Sequence, residues 1–206
     1  MRAMTLEIER KYINVDFDAL RPALKGHGAR CAGAHFERNV LFDTAGELLL
    51  LDKRLLRLRT QEWPDKKRYL LTLKSPRESQ NGFKVCDERE AEVADGVSVS
   101  AILEGLGYAM TARYEKIREC WRLNAVEVCL DVLPFVTAVE LEGDPARLSR
   151  VAALLGLDER TASIKNYHDL HQDWRRRHNM PFERSFVFSG EQRRFWRKKL
   201  GFAREI

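Results

Sequence analysis

The chain has 206 residues, 44% hydrophobic and 33% charged, proportions that exclude collagen, low-complexity disorder and a bundle of membrane helices. No apolar run approaches the roughly 18 residues of a spanning helix, and Met1-Arg2-Ala3-Met4 opens into charged sequence rather than an apolar leader. The net charge of +5 is unevenly spread: residues 174–206 carry ten Lys/Arg against three Asp/Glu, while residues 1–173 are slightly acidic.

In chain order, Thr5 to Ile13 alternates with period 2 and reads as a strand, with Glu7, Glu9 and Lys11 on one face. Asp16 caps a short helix carrying Phe17, Leu20 and Leu24, which stops at Gly26-His27-Gly28. Strands follow at 29–42, at 55–60 with Arg57 and Arg59 in phase, and at 68–74. Asn81-Gly82 marks a turn. The strand at 83–93 sets Glu88, Glu90 and Glu92 on one face, and a helix at 98–106 is closed by Gly107. Three more strands are predicted at 109–118 (Lys116 and Arg118 in phase), 119–132 (Glu127, Cys129 and Asp131 in phase) and 136–142 (Glu140 and Glu142 in phase). Helices from Asp144-Pro145 to Leu155 and from Tyr167 to about Arg177 lead into the basic tail. The four cysteines form no Cys-x-x-Cys pair, so reduced thiols in a cytoplasmic protein are expected, and neither a zinc site nor a disulfide framework.

Nearly every strand thus pairs an apolar face with a face of like charges two residues apart. A face that merely met water would mix Thr, Ser, Gln and Lys; repeated Glu-x-Glu and Arg-x-Arg pairs repel unless counter-charge sits between them. Closing the sheet into a barrel turns these faces into a lumen. Its carboxylates call for a hard divalent cation, Mg²⁺ or Mn²⁺, and its Arg/Lys set for a polyanion such as a triphosphate.

Glu7-Ile8-Glu9-Arg10-Lys11 has the Glu-x-Glu-x-Lys form, followed in order by Phe42-Asp43-Thr44, Leu56-Arg57-Leu58-Arg59, Leu73-Lys74, Glu88-Arg89-Glu90-Ala91-Glu92, Lys116-Ile117-Arg118, Asp131, Glu140-Leu141-Glu142 and Tyr167-His168-Asp169-Leu170. Over residues 4–172 the chain resembles the CYTH domain, the triphosphate tunnel metalloenzyme superfamily of class IV adenylyl cyclases, thiamine triphosphatases and inorganic triphosphatases. The resemblance implies an α+β, mainly β fold: an eight-stranded antiparallel closed barrel with helices packed outside. Residues 1–173 would form the barrel domain and 174–206 a basic, aromatic extension.

By that resemblance Glu7, Glu9, Glu140 and Glu142 hold metal, with Asp131 a further ligand or a supporting partner. Lys11, Arg57, Arg59, Lys74, Lys116 and Arg118 bind triphosphate oxygens, and Lys165 reaches toward the tunnel mouth. Lys11 and Glu90 are the candidates for a direct catalytic part, Glu90 by orienting a basic neighbour. The expected activity is Mg²⁺- or Mn²⁺-dependent hydrolysis of inorganic, nucleoside or thiamine triphosphate. Cyclisation of ATP to cyclic AMP is the alternative, and a non-catalytic polyphosphate- or RNA-binding module the second. Tyr69-Leu70-Leu71-Thr72-Leu73-Lys74-Ser75-Pro76 looks like a cyclase segment, whereas Leu133-Pro134-Phe135 departs from that subgroup. The partner is a small-molecule triphosphate, the protein a monomer or homodimer. His168 and His171, at i and i+3, are expected in surface or capping roles. The tail is expected to dock on the barrel as a helix with a solvated basic face, in preference to binding nucleic acid.

Overall fold

A computed structural model describes residues 5–79 and 82–203. Its strands are β1 (Thr5–Ile13), β2 (Arg30–Thr44), β3 (Leu55–Glu62), β4 (Lys67–Pro76), β5 (Lys84–Val93), β6 (Tyr108–Leu123), β7 (Val126–Val132), β8 (Thr137–Glu142) and the two-residue β9 (Ala162–Ser163). The sheet runs β5-β4-β3-β2-β6-β7-β8-β1, and β5 also pairs with β1. The eight long strands therefore close into an antiparallel barrel, and β9 adds to β1 at Lys11↔Ser163 and Tyr12↔Ala162. The expected Asn81-Gly82 turn lies partly outside the described residues, at Asn81.

Among the described residues six α-helices surround the barrel: α1 (Phe17–Gly26), α2 (Leu48–Leu51), α3 (Gly96–Gly105), α4 (Pro145–Leu154), α5 (Tyr167–Arg177) and α6 (Gly190–Lys199). Side-chain caps fix where the longer ones start. Asp16 accepts from Asp18 N, Asp95 from Ser98 N, Asp144 from Ala146 N and Asn166 from Asp169 N, each satisfying backbone donors that a helix start leaves open. Ser189 and Gln192 form a capping box on α6. No helix among the described residues is long and apolar enough to cross a membrane.

The apolar core lies outside the barrel. Tyr12, Trp121, Val128, Val139 and Leu141 point outward from the strands and bury against Phe17, Leu20 and Leu24 of α1 and Leu148 and Val151 of α4. This is the apolar phase of the strand alternation, and it leaves the charged phase inside.

Two differences from the sequence expectation shape the site and its surroundings, beyond shifts of one or two residues at other element ends. The break expected between residues 118 and 119 is absent, because β6 runs on to Leu123. The turn is Asn124-Ala125, with both residues at positive φ (51° and 62°), a two-residue hairpin whose second position holds Ala where Gly is the usual signal. The Leu-rich α2 was not expected. Asp43 creates it, accepting from the backbone of Thr44, Leu49 and Leu50 and pinning the loop after β2.

The C-terminal extension packs on the barrel. Phe186 N donates to Arg113 O and Phe186 O accepts from Glu115 N, and Phe188 buries against Phe36 and Ile117 with Trp196, Leu200 and Phe202 beside it. Arg193 pairs with Glu115, and Arg197 with Glu62.

Candidate active site

Strand alternation aims side chains of seven of the eight barrel strands, all but β2, into a lumen of about 270 Å³. Seven basic side chains and seven carboxylates line it, and they are sorted by strand. Arg57 and Arg59 come from β3, Lys74 from β4, and Lys116 and Arg118 from β6. Glu127 comes from β7, Glu140 and Glu142 from β8, Glu7 and Glu9 from β1, and Glu88 and Glu90 from β5. In ring order this gives a basic half, β4-β3-β2-β6, facing an acidic half, β7-β8-β1-β5. Lys11 and Lys84 sit within the acidic half and Glu37 within the basic half.

These minority charges hold each half together. Lys11 Nζ lies 2.6 Å from Glu9 and 3.1 Å from Glu140, and Lys84 Nζ lies 2.6 Å from Glu9. Burial opposes ionisation of Glu9, yet the Lys11 and Lys84 ammonium groups bring it down to about 2. Buried Glu140 is likewise held well below the carboxylate range by Lys11 and Arg118. Fully buried Glu37 lies 3.5 Å from Lys116 and 3.7 Å from Arg59, and those cations keep it ionised against the cost of burial. Lys74 bridges Glu7 at 2.6 Å and Glu88 at 2.7 Å.

Glu142 differs. It has no ion pair among the described residues, and its strand partners are Glu9 and Glu127. Burial, together with Glu7, Glu140 and Glu127, pushes its carboxyl up to about 8. Burial, with Glu9 and Glu88 nearby, also raises Glu7 despite Lys74. The acidic half is therefore short of positive charge at the Glu7–Glu142 end. The basic half is short of acceptors, since the buried Nε atoms of Arg57 and Arg59 have no hydrogen-bond partner. Arg57 is held by Tyr114 Oη, which accepts from it at 3.1 Å, and stands 4.0 Å from Glu90. Glu90 in turn accepts from the Thr72 hydroxyl at 2.8 Å.

α5 closes one barrel end. Leu170 packs with Leu133, Ala138 and Phe186, and Tyr167 reaches inside, its ring 5.3 Å from Lys11 Nζ and 5.4 Å from Lys116 Nζ. The Tyr167 hydroxyl donates to Asp131 at 2.6 Å, and Arg118 (2.6 and 2.8 Å) and Lys116 (3.0 Å) saturate that carboxylate. Asp131 thus faces cations and a phenol, while the other four expected metal-binding carboxylates line the open lumen. Lys165 stands apart from the lining and pairs with Asp173 at 2.6 Å.

The histidines are packing residues, not surface ones. His171 is buried against Phe135 and Phe186, and His168 meets Tyr114 edge-on at 5.3 Å. Burial lowers His168 to about 4, so it is a neutral imidazole at the closed end of the lumen. Sequence reasoning missed Glu37, Lys84, Tyr114 and the α5 contacts as parts of the site. Lys84 had a usable signal, since it shares the strand phase of Glu88 and Glu90.

A sequence profile of the CYTH domain matches residues 5–155. No curated protein is significantly similar in sequence. Among solved structures, a candidate adenylate cyclase from Vibrio parahaemolyticus superposes with a TM-score of 0.71 at 21% identity, over 82% of this chain and 99% of the other. A Pyrococcus horikoshii protein gives 0.64 at 25% identity over 78% and 96%. A candidate adenylyl cyclase from Hippeastrum, described as having a dominant triphosphatase activity, gives 0.60 at 19% identity over 85% and 97%.

Proposed function

This chain belongs to the CYTH domain family, and from that premise we propose that it is a metal-dependent triphosphatase, binding a triphosphate chain along the basic half of its lumen and hydrolysing a phosphoanhydride there. The observation that carries this reading is the sorting of charge: a wall of cations with unpartnered guanidinium donors faces a wall of carboxylates short of positive charge. A cavity of about 270 Å³ lies just below the usual range of ligand sites, which starts near 300 Å³, and suits a phosphate chain better than a whole nucleotide.

The donor set fits a hard divalent cation. Glu7, Glu9, Glu140 and Glu142 offer only carboxylate oxygens, and burial together with neighbouring carboxylates raises the Glu142 carboxyl, a cost that such an ion relieves. These four residues would hold Mg²⁺ or Mn²⁺, which supplies neutralisation of phosphate oxygens and a more acidic water. The chain's own residues do the rest. Arg57 and Arg59 offer planar forks that match phosphate oxygens. Lys74, Lys116 and Arg118 extend the line of positive charge, so that the anion is positioned and its developing charge is met by fixed dipoles rather than mobile water. Lys11, held between Glu9 and Glu140, brings a charged donor into the acidic half, beside the carboxylates that would hold the ion. Glu90 and Tyr114 keep Arg57 aimed.

The test is product analysis on the full chain with tripolyphosphate, ATP and thiamine triphosphate, each with Mg²⁺ or Mn²⁺ and with EDTA. Orthophosphate released only with metal is expected. Cyclic AMP and pyrophosphate from ATP would replace hydrolysis with cyclisation. No product from any substrate would leave a binding module.

A further inference from the structure

Beside the lumen, and joined to it by Glu127, lies a cluster of two thiols and a carboxylate that plays no part in the chemistry above. β6 and β7 are neighbours, and their register sets Cys120 directly opposite Cys129. Both thiols share the inward phase of their strands, Cys120 with Lys116 and Arg118 and Cys129 with Glu127 and Asp131. The two sulfurs lie 3.7 Å apart, unbridged, and a Glu127 carboxylate oxygen lies 3.4 Å from the Cys129 sulfur. One donor atom from each of the three residues falls within 4.8 Å of both others.

The sulfur–sulfur separation matches an edge of a coordination tetrahedron, and the sulfur–oxygen separation comes close to one. A tetrahedral ion with bonds of about 2.3 Å to sulfur and about 2.0–2.2 Å to oxygen holds two sulfurs about 3.7–3.8 Å apart and a sulfur and oxygen about 3.5–3.6 Å apart. We propose that Cys120, Cys129 and Glu127 form a binding site for a borderline-soft divalent cation of the Zn²⁺ class, distinct from the all-oxygen group of Glu7, Glu9, Glu140 and Glu142.

Three considerations support it. Thiolates select Zn²⁺, Co²⁺ or Cd²⁺ over Mg²⁺, so the two groups sort cations by hardness even though Glu127 and Glu142 are strand partners. Two thiolates and a carboxylate exceed the charge of one divalent ion, and Arg118, next in phase to Cys120, with Arg122, 3.9 Å from Glu127, supplies the compensation. Three donors leave one tetrahedral position for water, reached through the lumen that Glu127 lines. The expectation of no zinc site rested on linear spacing. The Asn124-Ala125 hairpin folds residues nine apart into register, which no Cys-x-x-Cys rule detects. The inference needs only these three side chains and stands whether or not the lumen hydrolyses triphosphate.

The experiment uses Co²⁺ alone as the probe, added to the reduced full chain. A thiolate-to-cobalt charge-transfer band with tetrahedral visible bands is expected, saturating at one equivalent, surviving excess Mg²⁺ and displaced by Zn²⁺. Cys120→Ser and Cys129→Ser should each diminish the band and the double variant abolish it; Cys31→Ser should leave it intact. Glu127→Gln should keep the band and weaken Co²⁺ affinity roughly tenfold or more. Because Cys129 is buried and its variants can misfold, alkylation of the unaltered protein gives an independent reading: Zn²⁺ should shield Cys120 and leave exposed Cys31 reactive. Absence of the band at stoichiometric Co²⁺, its persistence in the double variant, its loss to Mg²⁺, or equal alkylation of Cys120 with and without Zn²⁺ would overturn the assignment.

Discussion

Glu9 and Glu142 are strand partners in one acidic wall, yet their surroundings predict opposite responses to the same substitution. Glu9 is clasped by Lys11 and Lys84, so Glu9→Gln strips partners from buried cations and should cost about 3 kcal/mol of metal-free stability. Glu142 has no ion pair among the described residues and sits among Glu7, Glu127 and Glu140, with Lys74 as the weaker opposing influence, so Glu142→Gln should leave the metal-free protein equally or more stable. Chemical denaturation in EDTA measures both, and equal losses would contradict this division. Both substitutions should weaken Mg²⁺ binding.

Arg57 and Arg59 supply donors without acceptors, so each Arg→Ala change should weaken tripolyphosphate binding by about 1.5–3 kcal/mol, as for bonds between charged groups. Lys should restore only part, because a point charge cannot reproduce the fork. Thermal-shift titration reads this, and parental stabilisation of both Ala variants by tripolyphosphate would refute the anion cradle.

His168 gives a pH prediction. Its folded value, about 4, lies below the ordinary 6.5 because of burial. Between those values the unfolded chain binds a proton that the folded chain refuses, so stability falls as pH drops from 6.5 toward 4. His168→Phe suits the aromatic cluster and removes this dependence. Stability relative to the parent should therefore shift in favour of the variant across that window; a difference constant with pH would rule the buried neutral imidazole out.

Among the elements, the extension offers a separate test of packing. Phe188 is 2% exposed and anchors the segment that α6 follows, with its backbone N–H donating to Glu115 at 3.1 Å. Phe188→Ala should cost about 3–5 kcal/mol, measured by urea denaturation, and a loss below about 1 kcal/mol would show that the extension is loosely held. The period-2 strands and the Asp-capped helices were legible in the sequence because alternation and capping are local. The β6–β7 turn was not, since Asn124-Ala125 lacks the Gly that usually marks left-handed backbone. That one misplaced turn also hid the Cys120–Cys129 pairing, because cross-strand register counts outward from the turn. Glu37 was hidden for another reason: from Gly33 to Leu41 it is the single carboxylate of its strand phase, between His35 and Asn39, so β2 shows no Glu-x-Glu pair there.

For the whole molecule, the apolar faces turn outward to helices and the charged faces inward. In a single sheet Glu-x-Glu and Arg-x-Arg would pass as solvated surface. Only closure of the barrel sets Arg57 and Arg59 opposite Glu7, Glu9, Glu140 and Glu142. The lumen was thus legible as two sets of charges, while their segregation into facing halves required the strand order. If the lumen works as proposed, anion and cation bind it together and help each other. The direct measurement is calorimetric titration of tripolyphosphate with and without saturating Mg²⁺, corrected for the complex the two form in solution. Mg²⁺ should tighten tripolyphosphate binding by about 5–150-fold, and tripolyphosphate should tighten Mg²⁺ binding by the same factor, as linkage requires. Equal tripolyphosphate affinity with and without the metal would contradict the account.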